Sequence, residues 1–275
     1  MASLVAERFR YVLHEKLAPH TPEFGMAVGT ILTYWAAALF YDLLDRLDAP
    51  WVRRYRVVRK QPGRANLVTK GQVVTRVLLQ HAVQFILGFV LLLVDPDQCD
   101  AKQPGGWAIS CLQFAAGTLI MDTWQFWIHR WMHVNPTLYK HIHSHHHRLL
   151  VPYAYGALYN HPLEGLMLDT VGGVLALYGS GMSCKVGVWC LNFATLKTVL
   201  DHCGYLFPIN PLHDCFPNST AYHDVHHDIR FIKKNYSQPF YVHWDWIMGA
   251  CTCSGLPVPV QGCSAWFSCM SVKAL

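Results

Sequence analysis

Residues 107–133 read WAISCLQFAAGTLIMDTWQFWIHRWMH: an apolar run, Trp107 to Ile128, passes directly into His129 and His133. The run is long enough for the roughly 20 residues that a bilayer core demands, and the two histidines sit four apart, on one face of a helix. An apolar, membrane-length helix that ends in paired imidazoles sets the expectation for the whole chain. The surrounding sequence supplies more of both ingredients.

Working outward, two further runs match the first. Phe24 to Leu44 reads FGMAVGTILTYWAAALFYDLL, with no charge before Asp42. Val73 to Val94 carries Arg76 near its start and closes on LGFVLLLV. Within it Gln80, His81 and Gln84 fall on one helical face, which predicts that this face meets other helices rather than lipid. Two shorter runs, Leu166–Tyr178 and Val186–Leu200, flank the turn-like Gly179-Ser180-Gly181 and read as a hairpin of helices over 166–200. Each run alone would also suit a buried core helix; three long runs in succession favour the membrane. The fold class expected is therefore an all-α integral membrane protein. Three clear spans and a helical hairpin would form the bundle, capped by a cytosolic, histidine-rich helical metal-binding region. Its parts would be an N-terminal membrane region (1–117), a histidine-rich region (118–249) and a Cys-rich tail (250–275).

Composition agrees. Of 275 residues 52% are hydrophobic and only 14% charged, against about 25% charged in ordinary soluble domains. Disorder, a collagen repeat and a strongly basic nucleic-acid binder are excluded at once. Mean hydropathy is only +0.18, which excludes a plain bundle of lipid-facing helices. A polar stretch of 23 residues precedes the first run, so no cleavable signal peptide is expected.

Loop charge predicts orientation. Residues 45–72 contain Arg46, Arg53, Arg54, Arg56, Arg59, Lys60, Arg64 and Lys70, whereas 95–106 contain Asp95, Asp97, Asp100 and a single Lys102. The positive-inside rule puts 45–72 in the cytosol and brings every histidine-rich segment to that side. The basic loop reads as a topology determinant near anionic head groups rather than as a nucleic-acid patch. On the cytosolic side, the sequons at Asn218 and Asn235 would carry no glycan.

Ten cysteines might suggest a disulfide framework, but Cys99, Cys111, Cys184, Cys190, Cys203 and Cys215 are widely spaced and no CxxC pair exists. They are read as small hydrophobes, and Cys251, Cys253, Cys263 and Cys269 as an incidental cluster.

The histidines are not incidental. Positions 129–243 hold 14 of the 17. His143, His146 and His147 form H-x-x-H-H, and His223, His226 and His227 repeat it. On a helix each set can aim two or three imidazoles at one point, and the repeat is difficult to explain without metal. His161, at the entry to the hairpin, and His202, at its exit, bring the candidate ligands to ten, enough for two neighbouring ions. His14, His20, His81, His141, His145, His213 and His243 lack the spacing. Imidazole suits Zn, Cu, Fe and Ni; ten histidines exceed the needs of a structural zinc site, and H-E-x-x-H is absent. A neutral shell leaves high positive charge on the metals, suited to dioxygen activation by Fe(II). Glu164, Asp169, Asp201, Asp224 and Asp228 are candidate acceptors for ring N–H groups. A metal buffer is the non-enzymatic alternative, since HIHSHHH at 141–147 resembles a binding tract.

The three boxes in this order, with an apolar hairpin between the second and third, resemble the fatty acid hydroxylase and sterol desaturase superfamily over residues 118–249. Within it, LLVPYAYGALYNHPLEG at 149–165, Asp201-His202-Cys203-Gly204 and AYHDVHH at 221–227 are similar to plant-type sphinganine C4-hydroxylases. The resemblance implies a multi-pass endoplasmic reticulum enzyme with two iron ions as a non-haem di-iron centre. Dioxygen would be used with electrons from cytochrome b5, itself reduced from NAD(P)H. The implied substrate is sphinganine, or the base within dihydroceramide, hydroxylated at C4. A sterol C4-methyl oxidase or a C5-desaturase is the enzymatic alternative. Tyr153, Tyr155 and Tyr159 would either bind the lipid head or pack at the interface. The chain departs from the family at His145, inside the second box, and in its Cys-rich tail. Lys273, preceded by Val272, leaves a dilysine retrieval signal incomplete.

Overall fold

A computed structural model describes residues 2–57, 65–100 and 104–252; Arg59, Lys60, Arg64, Lys102, Cys253, Cys263, Cys269 and Lys273 lie outside them. The described residues are helical and contain no strand, only one isolated bridge between Arg56 and Tyr205. The helices used below are α1 (Ala2–Tyr11), α2 (Pro22–Leu47), α3 (Lys70–Val94), α4 (Trp107–Val134), α5 (Gly172–Gly179), α6 (Cys184–His202) and α7 (Thr220–His226).

Local chemistry sets their starts. Thr21 caps α2 by accepting from the Phe24 amide, and Pro22 occupies the first turn, where its missing N–H costs nothing. Thr69 and Gln72 close a reciprocal capping box on α3. Ser183 and Ser219 cap α6 and α7 in the same way. Between Leu166 and Val171 the hairpin's first arm loosens into a π-helix before tightening into α5.

Two helices, α2 and α3, are long and apolar enough to cross a membrane. Only 17% and 22% of their most apolar stretches are buried by protein, so Leu32, Leu39, Leu43, Leu78, Ile86 and Val90 face outward. A helix that is apolar all round and mostly uncovered needs an apolar solvent. The third expected span, Trp107–Ile128, is part of the 28-residue α4 but does not join this class. Gln113, Thr118, Asp122 and Gln125 lower its hydropathy, and α4 buries Gly117, Thr118, Met121, Asp122, Gln125 and Phe126. One face of α4 packs on the hairpin arm α5, while Trp107, Ile109, Leu112 and Leu119 face outward, and α6 runs along α2. The face of α3 carrying Gln80 and His81 is buried as expected. At Gly165 a side chain would collide with the Gln80 amide, so the hairpin entry can approach α3 only there.

The bundle has two chemically distinct ends. At one, Lys16 pairs with Asp97 and Asp100, Tyr178 donates to Gln98 and Gln113 to the Gly181 carbonyl, pinning the hairpin turn to 95–100. Cys99 and Cys184 are joined there by a disulfide spanning 85 residues. That pair corrects the reading of these cysteines as isolated hydrophobes: they stand far apart in sequence, and the hairpin brings them together.

The opposite end carries the histidine segments and the returns between them. Buried Lys197 on α6 donates to Asp201 and to the carbonyls of Asn218 and Pro239. Asp122 on α4 accepts from the amides of Phe240 and Tyr241. Asn218 and Asn235 are fully buried, with their side-chain amides spent on backbone carbonyls. A bare sequon there follows from burial on either side of a membrane, so it carries no information on orientation.

Candidate metal centre

Nine imidazoles converge at this end in two groups. The ring nitrogens of His129, His133, His143, His147 and His226 form one; those of His146, His202, His223 and His227 form the other; within each group the ligating atoms lie within 4.8 Å. All nine side chains are buried.

The boxes divide between the groups. Members four apart act together: His129 with His133, His143 with His147, and His223 with His227. The middle histidine crosses over, so His146 leaves the second box for the second group and His226 leaves the third box for the first. Each H-x-x-H-H therefore straddles both groups, which is why adjacent histidines recur. The second box is wound as a 3-10 helix over His143–Arg148, whereas the third sits on α7 with His227 as its cap.

Outer partners fix which nitrogen faces inward. Nδ1 of His129 donates to the Tyr236 carbonyl at 2.6 Å, His202 to Thr198 at 2.8 Å, His226 to Lys234 at 2.7 Å and His227 to Leu149 at 2.8 Å. His146 donates more weakly to Tyr159 at 3.2 Å, and His143 donates to Glu164 Oε1 at 2.6 Å. With the proton on Nδ1, each Nε2 carries a bare lone pair. Nε2 of His129 and His143 nevertheless stand 3.0 Å apart, and those of His146 and His202 3.5 Å. Two lone pairs at such distances repel unless a cation lies between them. Ligands at a metal–nitrogen distance of about 2.0–2.1 Å sit roughly 3 Å from one another, so the spacing fits a metal shell. The donor set, neutral and all nitrogen, suits a borderline metal such as iron or zinc.

Burial keeps the rings neutral. It pushes His226 down to about 3 and His146 to about 4, and it lowers His143, His147, His223 and His227 strongly, helped by neighbouring imidazoles. Burial pushes Glu164 the other way, above the usual carboxylate range.

The tenth sequence candidate, His161, stands outside both groups. Its Nδ1 accepts from the Leu163 amide as a helix cap, and its ring lies against His145. Its neighbour Asn160 is buried instead and lines a small cavity with His129, His143, His146 and His202. Proline at 162 starts a helix and leaves His161 as its cap, which turns Asn160 inward. Of the acids, Glu164 meets His143 of the first group; Asp201 is taken by Lys197, Asp228 caps a turn and pairs with Arg230, Asp224 is buried on α7, and Asp169 lines the cavity. The other ring partners are backbone carbonyls, which no residue type announces. Tyr155 and Tyr159 pack inside, where their carbonyls accept from Tyr34 and His146.

A second, larger cavity of about 310 Å³ adjoins the site. It runs between α2, α3, the hairpin and α6, walled by Met26, Phe85, Leu92, Val174, Leu177 and Leu191. Gln125, Asp169 and Thr198 line both cavities, so the apolar space meets the histidines through these three residues.

The pattern of the fatty acid hydroxylase family matches residues 114–250. Sphinganine C4-monooxygenase 2 of Arabidopsis thaliana is 50% identical over 230 residues, 82% of this chain and 87% of the relative. Very-long-chain aldehyde decarbonylase GL1-9 of Oryza sativa is 49% identical over 220 residues, 80% and 84% of the two chains. Sphingolipid C4-hydroxylase sur2 of Schizosaccharomyces pombe is 37% identical over 264 residues, 86% and 90%. No solved structure matches.

The depressed histidines carry a sign. A ring held neutral in the fold but free to protonate near 6.5 when unfolded binds fewer protons in the native state. Stability is thus complete above 6.5 and is lost as pH falls from there toward about 3 to 4. Metal-depleted protein in detergent is expected to melt several degrees lower at about pH 5 than at about pH 7.5. An unchanged melting temperature across that window would contradict the neutral assignment.

Proposed function

The chain belongs to the fatty acid hydroxylase family, and from that membership we propose a membrane-bound, dioxygen-dependent sphinganine C4-monooxygenase that holds two iron ions. The single observation that carries the chemistry is the pair of inward-facing imidazole groups at the end of an apolar cavity. The substrate follows the names of relatives with similarity across most of the chain.

His129, His133, His143, His147 and His226 would hold one ion, and His146, His202, His223 and His227 the other. Iron bound there supplies the power to oxidise an unactivated C–H bond with dioxygen, drawing electrons from cytochrome b5 reduced from NAD(P)H. The protein's own residues do the rest. Glu164 and the carbonyls of Tyr236, Tyr159, Thr198, Lys234 and Leu149 hold six of the nine ring protons outward, which fixes the direction of those Nε2 atoms. The apolar cavity takes the hydrocarbon and excludes bulk water, so the target carbon is held rather than encountered. His161 is not needed for either ion.

Orientation is part of the proposal: an endoplasmic reticulum protein with its histidines toward the cytosol. The Cys99–Cys184 disulfide supports it, because disulfides persist on the lumenal side and the histidines occupy the opposite end. The basic residues of 45–57 lie at the histidine end, as the positive-inside rule requires.

Expression in cells without endogenous C4 hydroxylation is expected to yield trihydroxy long-chain bases, seen by lipid mass spectrometry. Folded, iron-loaded protein that makes none would remove the reading; alkane or aldehyde-derived products would place the chain with the decarbonylase instead. His226→Ala is expected to lower product at least about a hundredfold and to reduce bound iron. A metal buffer would lose only part of its iron and have no product to lose.

Orientation has a separate check. In sealed microsomes a membrane-impermeant maleimide should reach exposed Cys215 at the histidine end, and reach Cys99 and Cys184 only after detergent and reductant. The reverse pattern would invert the topology.

A further inference from the structure

The end of the large cavity nearest the histidines contains a carboxylate with nothing to balance it. Asp169 lies on the π-helical stretch Leu166–Val171, a conformation that recurs where a helix is re-aimed for function. Its Oδ2 is fully buried and has no hydrogen-bond partner; the same holds for Thr170 Oγ1 beside it and for Oε2 of Glu164. No basic side chain among the described residues pairs with Asp169. Lys197, the buried cation of α6, is saturated by Asp201 and two carbonyls. A carboxylate oxygen withdrawn from water without a partner is costly, and the half-buried Asp169 side chain stands at the wall of an open cavity.

We propose that Asp169 is the counter-ion for the ammonium group of the substrate, and that the substrate is therefore the free long-chain base rather than its N-acylated form. The inference rests on the C4-monooxygenase reading and deepens it. A primary aliphatic amine is cationic at neutral pH; the amide of dihydroceramide is neutral and brings a second long chain. Asp169 lines both cavities, so a cation held there sits beside His129, His143, His146 and His202. The hydrocarbon then extends away along α3 from His81 to Leu92, about 16 Å of helix.

This polarity also accounts for regiochemistry. In sphinganine the amine is on C2, and C4 is the first carbon of the plain hydrocarbon. A head group anchored at Asp169 leaves C4 where the polar end of the cavity meets the histidines. Oxidation in mid-chain would require the head at the far end, where Glu23 already has Lys16 as a partner at 3.9 Å.

The test is equilibrium binding of a saturated C18 primary amine and the matching C18 primary alcohol to the full-length protein in detergent. The wild type is expected to bind the amine at least about tenfold more tightly, and Asp169→Asn to bring the two within about twofold. Asp169→Glu should restore the preference. In the iron-loaded protein Asp169→Asn should raise KM for sphinganine about tenfold or more with metal content unchanged. Equal binding of amine and alcohol by the wild type overturns the proposal without reference to any variant. A preference that persists in Asp169→Asn, or faster turnover of dihydroceramide than of sphinganine, overturns it too. Failure of the C4 reading looks different: the amine preference is present and lost in Asp169→Asn, yet no trihydroxy base is made.

Discussion

Bare imidazole lone pairs held about 3 Å apart are a repulsive arrangement, and much of this structure serves to impose it. The cost is met from outside the groups, by hydrogen bonds that hold the Nδ1 protons of six of the nine rings away from the centre. Five of these go to backbone carbonyls and one to Glu164, drawn from segments as distant as Leu149, Thr198 and Tyr236. A metal shell assembled in this way is rigid because its second layer is the fold itself. It also explains the buried polar ties of the same end. Lys197 and Asp122 hold the returning segment 218–241 against the bundle, and that segment carries the third box and two of the five carbonyls.

The metal-binding end in turn constrains the helices. Four segments must deliver histidines to one level, so α4 and α6 each turn a polar, ligand-bearing face toward the interior. Their polar residues follow from this. Asp122, Gln125 and Thr118 on α4 would be expensive toward hydrocarbon, and each is buried against protein with a partner. The two helices free of that duty, α2 and α3, are left apolar and uncovered. Division of labour between lipid-facing and ligand-bearing helices is thus a consequence of where the imidazoles must be.

The same division decides what could be read from sequence. Box residues are legible because their spacing is a helical period and their side chain is the ligand, and nine of the ten candidates come together. His161 misleads because its type suggested a ligand while proline at 162 assigns it to a cap, and Asn160, one residue earlier, takes the inward position. The assignment of histidines to groups is hidden, since H-x-x-H-H looks like one site and is shared between two. Carbonyl partners leave no signature in a sequence at all. The third apolar run reads as a span by length, and its Asp122 and Gln125 mark the face that is buried against protein. Cys99 and Cys184 are illegible for a topological reason: only a folded hairpin makes residues 85 apart into neighbours.

Polarity along the bundle ties these features together. At one end a disulfide and the Lys16 ion pairs close the hairpin turn against the loop at 95–100. At the other, His129, His143, His146 and His202 line a small cavity that meets the larger, mainly apolar one at Gln125, Asp169 and Thr198. An amphiphile entering such a space has one favourable orientation, because its hydrocarbon gains from the apolar walls and its charge finds compensation only beside Asp169. The proposed metal centre lies at that same place, so the fold would select the carbon next to the head group by electrostatics and leave chain length to the far end of the cavity. Selectivity among carbons that are chemically almost identical then needs no recognition of the carbon itself.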